Sequence, residues 1–286
     1  MSILPQVSLL PVKERLSFFY VERGGLTVID GCLVLTDNED RTRYEVPARA
    51  TVCIMVGPGT TVSTEAIRLA AAYGVLVTWV GEHGVRCYSA GRPWSDNMEW
   101  LEKQVRCYAD PALTLKVARE MFYRRFGVRM ERRSMEQLRG IEGARVRELY
   151  KLKAKEFGIR WIGRRYVPGN PLGETDGPNL ALNVANTCLY GLVETAVHAA
   201  GMSTALGFVH RGSRLSFVLD VADLYKMEHM IPLAFGLVAK KGPDGKPWGT
   251  LERDVRLACR DRFRTSGLLD TIVNDMTSLV DAGTGS

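Results

Sequence analysis

Hydrophobic and polar positions follow two different periods along the chain, and the change falls near residue 91. Before it, short apolar runs separated by turn residues such as Gly24, Gly25 and Asn38 predict β-strands. One segment, residues 64–73, has helical spacing instead, with Ser63 placed to cap its N-terminus. The predicted strands are 17–21, 26–29, 32–36, 51–55, 75–80 and 85–88.

After residue 91, apolar residues recur three and four positions apart, which predicts helices. The predicted helices are 98–108, 111–125, 135–157, 180–200 and 251–281. Residues 89–96 are small and turn-forming, and a chain of 286 residues exceeds the usual single-domain length. We therefore predict an α+β fold with two domains, a small β-rich N-terminal domain over residues 1–92 followed by an all-helical domain over residues 93–286.

Composition and charge narrow the choice of partner. The net charge of +6 is unevenly distributed, because residues 111–166 hold 16 Lys and Arg against 6 Asp and Glu. Such a basic segment indicates a polyanion partner such as nucleic acid, or alternatively a well-solvated helical surface. Residues 1–15 contain no long apolar run, and the six cysteines are scattered without metal-site spacing. We expect a soluble, cytoplasmic protein with reduced cysteines and no membrane partner.

Two glycines flank an acid in the segment QLRGIEGARVR. Ser134 and Gln137 form a capping box, which places Glu142 about two turns inside a helix. Gly140 and Gly143 lie on either side of it, although a glycine costs a helix interior about 1 kcal/mol relative to alanine. Either the missing side chains let a ligand approach Glu142, or two helices cross tightly there and Glu142 is a surface residue.

A second acidic cluster follows His210. Asp220 and Asp223 are three residues apart in an otherwise apolar stretch, and on a helix this spacing puts both carboxylates on one face. Apolar surroundings make two acids unfavourable unless they are paired or bind a cation. Carboxylates with at most one imidazole suit Mg²⁺ or Mn²⁺, although a lone His beside apolar residues is more often a hydrogen-bonded core residue.

Arginines accompany both acidic segments. Arg139 and Arg145 surround Glu142, and arginine forks match phosphate geometry. Arg256 and Arg260 are four residues apart on one predicted helix face, which fits either a phosphate contact or an ordinary amphipathic surface.

At these residues the sequence resembles the CRISPR-associated integrases that insert new spacers into CRISPR arrays, and it is most similar to the type I-E version. The similarity covers nearly the full chain. The motifs that carry it are VIDGCLVLTD, VPARATVCIMVGPGTTVS, VRLACRD, QLRGIEGARVR and GFVHRGSRLSFVLDVADLYK.

The resemblance implies a helical catalytic domain whose metal ligands are Glu142, His210 and Asp223, with Asp220 as a further catalytic acid beside them. It implies a Mg²⁺ or Mn²⁺ cofactor and 3′-OH transesterification of a prespacer duplex at the repeat borders next to the CRISPR leader. It also implies a homodimer that joins a small ferredoxin-like CRISPR adaptation protein in a hetero-hexameric complex. The DNA-binding residues it implies, together with those indicated by charge, are Arg68, Arg86, Arg139, Arg145, Tyr190, Arg256 and Arg260.

Two other functions remain open from the sequence. A stand-alone nuclease or resolvase of branched DNA would use the same metal with water as the nucleophile. A non-enzymatic DNA-binding scaffold would use the acids to hold a structural ion, but such a site would not need the glycines around Glu142.

Overall fold

The computed structural model describes residues 17–38, 41–84, 86–91, 98–165, 176–241 and 250–285. The strands are β1 (Ser17–Val21), β2 (Gly24–Ile29), β3 (Cys32–Asp37), β4 (Arg43–Val46), β5 (Thr51–Val56), β6 (Thr60–Val62), β7 (Leu76–Val80) and β8 (Cys87–Ala90). The helices are α1 (Thr64–Ala72), α2 (Glu99–Ala109), α3 (Pro111–Phe126), α4 (Met135–Glu156), α5 (Gly177–Ala199), α6 (Ser216–Tyr225), α7 (Ile231–Lys241), α8 (Leu251–Ser266) and α9 (Leu268–Thr284).

The strands form two four-stranded sheets. One has the order β1-β5-β7-β8, in which β8 alone runs antiparallel to its neighbour. The other has the order β4-β3-β2-β6, in which β2 and β6 are parallel and the remaining pairs antiparallel. A small core of apolar side chains from both sheets and α1 holds this part together.

Strand β5 is buried along its whole length, since both of its faces are covered. Ile54 and Val56 point into the core between the sheets, whereas Cys53 and Met55 belong to the large core of the helices. Successive side chains of a strand point to opposite faces. The sheet that contains β5 therefore packs against the other sheet on one face and against the helical part on the other.

Helix α5 forms the centre of the helical part and contacts α6, α7, α8 and α9. By length and composition it is the one described helix that could cross a membrane, but 78% of its apolar window is buried within the protein. Buried neighbours on all sides account for its apolar sequence.

The structure confirms the predicted α+β fold, with sheets in the N-terminal part and helices in the C-terminal part. The division at residue 92 stays a prediction; residues 92–97 lie outside the described residues, and the large core includes side chains from both sides of that position. The single helix predicted over 251–281 is wrong. Gly267 adopts a left-handed conformation with φ of 58°, which ends α8 before α9 begins.

Candidate metal centre

The three acids and the histidine singled out in the sequence line one small pocket. Helix α4 contributes Glu142, α6 contributes Asp220 and Asp223, and the turn before α6 contributes His210. The pocket is also lined by Arg125, near the end of α3, and by the apolar side chains Met121, Phe122, Val209 and Leu224.

Asp220 organises the turn that carries His210. Its buried carboxylate accepts backbone N–H bonds from Phe208, Val209 at 2.9 Å and His210 at 2.8 Å. The same carboxylate lies 2.7 Å from His210 Nδ1. A carboxylate at Nδ1 fixes the ring orientation and leaves Nε2 available to a ligand, an arrangement that many metal-binding histidines share. The hydrogen bond to Asp220 also raises the pKa of His210 above 6.5, although burial opposes it.

The turn itself depends on a glycine. A Cβ on Gly207 would lie 2.5 Å from the carbonyl oxygen of His210 and 2.6 Å from the carbonyl carbon of Ser216. Real Cβ atoms do not approach backbone this closely, so only glycine lets the chain fold back over the start of α6.

Helix α4 begins as predicted, because Ser134 and Gln137 form a capping box. Glu142 therefore lies two turns inside α4, with its side chain 18% exposed. The tight helix crossing considered for the flanking glycines is absent from the described residues. A Cβ on Gly140 would have no neighbour within 4 Å outside the local helix backbone, and one on Gly143 would meet only Arg147 Nη1 at 3.5 Å.

Two cations pair with the carboxylates of Glu142 and Asp223. Arg125 donates from Nη1 to Glu142 Oε1, and the same nitrogen lies 3.4 Å from Asp223 Oδ2. Lys226 Nζ lies 2.6 Å from the other oxygen of Asp223 and 4.8 Å from the centre of the Tyr190 ring. Lys226 opens a π-helical turn, Lys226–Met230, that follows α6, and such turns are frequent at functional sites.

These cations decide the protonation state of Asp223. Burial alone would raise the pKa of its carboxyl, but Lys226 and Arg125 hold that pKa below its ordinary value of 3.8. Asp223 is therefore ionised at neutral pH. Burial would in turn lower the pKa of Lys226, but Asp223 raises it, so both partners keep their charges.

The donor set fits a hard divalent cation by its chemistry. Two carboxylates and an imidazole with a free Nε2 face the same pocket. Among the described residues, however, no three His, Cys, Asp or Glu side chains form a ready-made metal site. The guanidinium of Arg125 pairs with both Glu142 and Asp223 in this pocket.

Three of the predicted DNA-binding residues lie close to this pocket. Arg139 donates to the carbonyl of Val209, in the turn that carries His210. Arg145 packs over the Phe126 ring at 5.2 Å, and Tyr190 faces Lys226. Their contact with DNA stays a prediction.

The other predicted DNA-binding residues lie elsewhere. Arg68 is exposed on α1 and pairs with Glu65, while Arg86 is exposed in the turn before β8 with φ of 67°. On α8, Arg256 pairs with Glu252, and Arg260 pairs with the adjacent Asp261 at 2.8 Å. DNA contact by these residues also stays a prediction.

Sequence reasoning missed Arg125 and Lys226. Lys226 lies three residues beyond Asp223, a helical spacing that could have pointed to it. Arg125 gave no such signal, because its partners lie 17 and 98 residues away and its segment contains many other arginines.

Comparison with known proteins identifies the class to which this fold and pocket belong. The family described as CRISPR associated protein Cas1 matches residues 19–131 and 127–262. The chain belongs to this family, and the resemblance stated from its motifs is confirmed.

Similarity to individual proteins supports this family assignment. The chain is 47% identical to CRISPR-associated endonuclease Cas1 1 of Rhodospirillum rubrum, over 96% of this chain and 87% of that protein. It is 45% identical to CRISPR-associated endonuclease Cas1 of Escherichia coli K12, over 96% of this chain and 88% of that protein. A solved structure described as a TtCas1–DNA complex superposes with a TM-score of 0.83 and 37% identity, covering 95% of this chain and 99% of the other.

Proposed function

We propose that this protein is a divalent-metal-dependent DNA integrase and endonuclease that inserts prespacer DNA into a CRISPR array. The observation that carries the proposal is the convergence of Glu142, His210 and Asp223 on one pocket, with Asp220 orienting the imidazole. Relatives at 45–47% identity are named CRISPR-associated endonucleases, and a similar chain has been solved with DNA.

Each residue of the pocket has a distinct role in this proposal. Glu142, Asp223 and His210 Nε2 would hold Mg²⁺ or Mn²⁺, for which carboxylate oxygens are suitable ligands. When bound, the ion would offset charge on the scissile phosphate and lower the pKa of an attacking hydroxyl. Asp220 keeps the His210 ring in position, and Lys226 keeps Asp223 ionised.

The proposed reaction exchanges one phosphodiester for another. The 3′-oxygen of the prespacer forms a bond to phosphorus at the repeat border, and the phosphorus–oxygen bond of the array strand breaks. The leaving 3′-oxygen takes up the proton that the attacking hydroxyl loses. Water in place of the 3′-hydroxyl gives hydrolysis, which is the activity that the relatives' names describe.

The proposal includes partners. We expect a homodimer in the cytoplasm, joined to the small ferredoxin-like adaptation protein in a hetero-hexameric complex. The basic segment over residues 111–166 would contact prespacer and repeat DNA through the phosphate backbone.

Strand transfer tests the function directly. A 3′-OH duplex is incubated with a supercoiled plasmid carrying a leader and repeat, with Mg²⁺ or Mn²⁺ and the adaptation protein. We expect covalent products at the repeat borders that disappear with EDTA. In Glu142→Gln we expect a loss of at least about 100-fold, since even residues that only support metal ligands cost about 10–100-fold.

Glu148→Gln is the matched control, because Glu148 lies on the same helix, is exposed and pairs only with Lys151 among the described contacts. It should retain wild-type activity. Full strand transfer by Glu142→Gln would refute the assignment of the site. Metal-dependent cleavage without joining would replace the integrase with a nuclease of branched DNA.

A further inference from the structure

Arg125 occupies the space between two proposed metal ligands. Its side chain is only 9% exposed, and one nitrogen, Nη1, contacts both Glu142 and Asp223. Lys226 contacts Asp223 from the other side, through the oxygen that Arg125 does not touch. The Arg125 guanidinium is therefore the cation that bridges α4 and α6 at this pocket.

When no metal ion is bound, the carboxylates of Glu142 and Asp223 need the positive charge of Arg125. Removing one partner of a buried ion pair leaves an uncompensated charge, which is strongly destabilising. Arg125 pairs with Glu142 and shares Asp223 with Lys226, so these two cations compensate both carboxylates when no metal ion is bound.

The bonding of Arg125 is nevertheless incomplete. Its Nε is buried and has no hydrogen-bond acceptor among the described residues. The adjacent Arg124 differs, because its Nε bonds to Glu120 and its Nη1 bonds to Ser278 and to the backbone of Asp275. Arg125 thus supplies charge to the pocket while leaving a donor unsatisfied, which lowers the cost of moving its side chain.

A divalent ion would itself compensate Glu142 and Asp223, so the positive charge of Arg125 would no longer be needed there. Held by Glu142 and Asp223, the ion would bring two positive charges into the space that the guanidinium occupies. Like charges a few ångströms apart in a partly buried pocket repel strongly, because the surrounding protein weakens their interaction less than bulk water does. Both cations cannot remain between the same carboxylates.

We propose that Arg125 is an internal counter-ion of the metal-free protein, and that metal binding displaces its guanidinium from Glu142 and Asp223. This inference rests on the proposed function, since it requires a divalent ion at that pocket. Part of the metal's binding free energy is then spent on breaking the Arg125 ion pairs. A neutral side chain at this position removes that cost and leaves the carboxylates dependent on the metal for compensation.

Isothermal titration of Mn²⁺ into the full chain tests the inference. We expect Arg125→Gln to bind Mn²⁺ at least about tenfold more tightly than wild type, because the ion no longer has to break charged hydrogen bonds from Arg125. Arg125→Lys keeps a displaceable charge, so its affinity should stay near that of wild type. Arg124→Gln, which alters the neighbouring arginine outside the pocket, should also match wild type.

A second measurement needs only folded wild-type protein and covers the case in which Arg125→Gln does not fold. In protein labelled with ¹⁵N-arginine, the Arg125 Nε–H signal is assigned by its loss in Arg125→Lys. Saturating Mg²⁺ should shift this signal and leave that of Arg124 in place. An Arg125 signal unchanged by saturating Mg²⁺ would overturn the inference.

The outcomes separate this inference from the proposed function. Equal or weaker Mn²⁺ binding by Arg125→Gln, with wild-type binding that is abolished in Glu142→Gln, would overturn the role of Arg125 and keep the metal site. Wild-type protein that binds no Mn²⁺, or binds it as tightly as Glu142→Gln does, would overturn both.

Discussion

At the scale of single residues, Asp220 secures the turn that carries His210. Its buried carboxylate accepts three backbone N–H bonds and faces His210 Nδ1. In Asp220→Asn, one carboxylate oxygen is replaced by an NH₂ group that would face N–H donors. We expect the free energy of unfolding, measured with urea, to fall by about 2–4 kcal/mol, since buried bonds to a charged acceptor are lost.

Asp261→Asn is the control for this variant, because the Asp261 side chain is 61% exposed and pairs only with Arg260 among the described contacts. A surface substitution of this kind changes stability by about 0.5 kcal/mol or less. If Asp220→Asn cost no more than this control, the turn would not depend on the carboxylate.

His198, in the last turn of α5, gives the protein a pH dependence away from the pocket. Burial lowers its pKa below 6.5, the ordinary value that applies in the unfolded chain. Below about pH 6.5 the unfolded state therefore binds more protons than the folded state, so stability falls as the pH falls through this range.

The variant His198→Gln cannot take up this proton. We expect the stability of wild type relative to His198→Gln to decrease as the pH falls from about 7.5 to about 5.5, whatever the offset between them at neutral pH. Urea denaturation at several pH values measures it. A relative stability that stayed constant with pH would show that burial does not perturb His198.

At the scale of elements, replacing the glycines of α4 should change the stability of the protein and its affinity for DNA in opposite directions. Space beside Gly140 and Gly143 is open, so alanine fits at both positions. Each substitution should raise the free energy of unfolding by about 0.5–1 kcal/mol, because glycine is unfavourable in a helix interior.

The double variant Gly140→Ala/Gly143→Ala should also weaken DNA binding, because the added methyl groups would occupy the open face of α4 that the two glycines share. Urea denaturation and fluorescence anisotropy with a labelled duplex measure the two effects. A more stable double variant with unchanged DNA affinity would mean that the glycines serve no ligand.

Local signals explain which elements could be predicted from the sequence. The capping box of α4 and the short apolar run of β5 depend on neighbouring residues, and both elements were predicted. Helices α6 and α7 were not delimited, because they are buried and their apolar residues do not show a single face. The break at Gly267 was missed because helical periodicity continues on both sides of it.

The residues of the pocket likewise include some that could be predicted from the sequence and one that could not. Glu142, His210 and Asp223 belong to motifs that can be recognised along the chain, whereas the cation that pairs with Glu142 and Asp223 comes from α3, outside those motifs. Arg125 lies 98 residues from Asp223, and only the packing of α3 against α4 and α6 brings the two together. Composition could show that the segment is basic, but not which arginine is buried.

At the scale of the whole molecule, the backbone of α5 passes close to the turn before β8. A Cβ on Gly191, in α5, would lie 2.3 Å from the backbone nitrogen of Arg86 in the turn before β8. Next to Gly191, Tyr190 faces Lys226, which pairs with Asp223 of the pocket. Side chains of β5 and β7 also belong to the core around α5. We infer that the two parts unfold together.

Gly191→Ala tests this coupling. The added methyl group must push the Arg86 turn away from α5, and overpacking of this kind costs about 1–3 kcal/mol. Amide hydrogen exchange should then show the same loss of protection in β5 and in α5. Gly236→Ala is the control, since its Cβ would meet only the Phe157 ring at 3.4 Å. Loss of protection confined to the sheets would instead show that the predicted N-terminal domain unfolds independently.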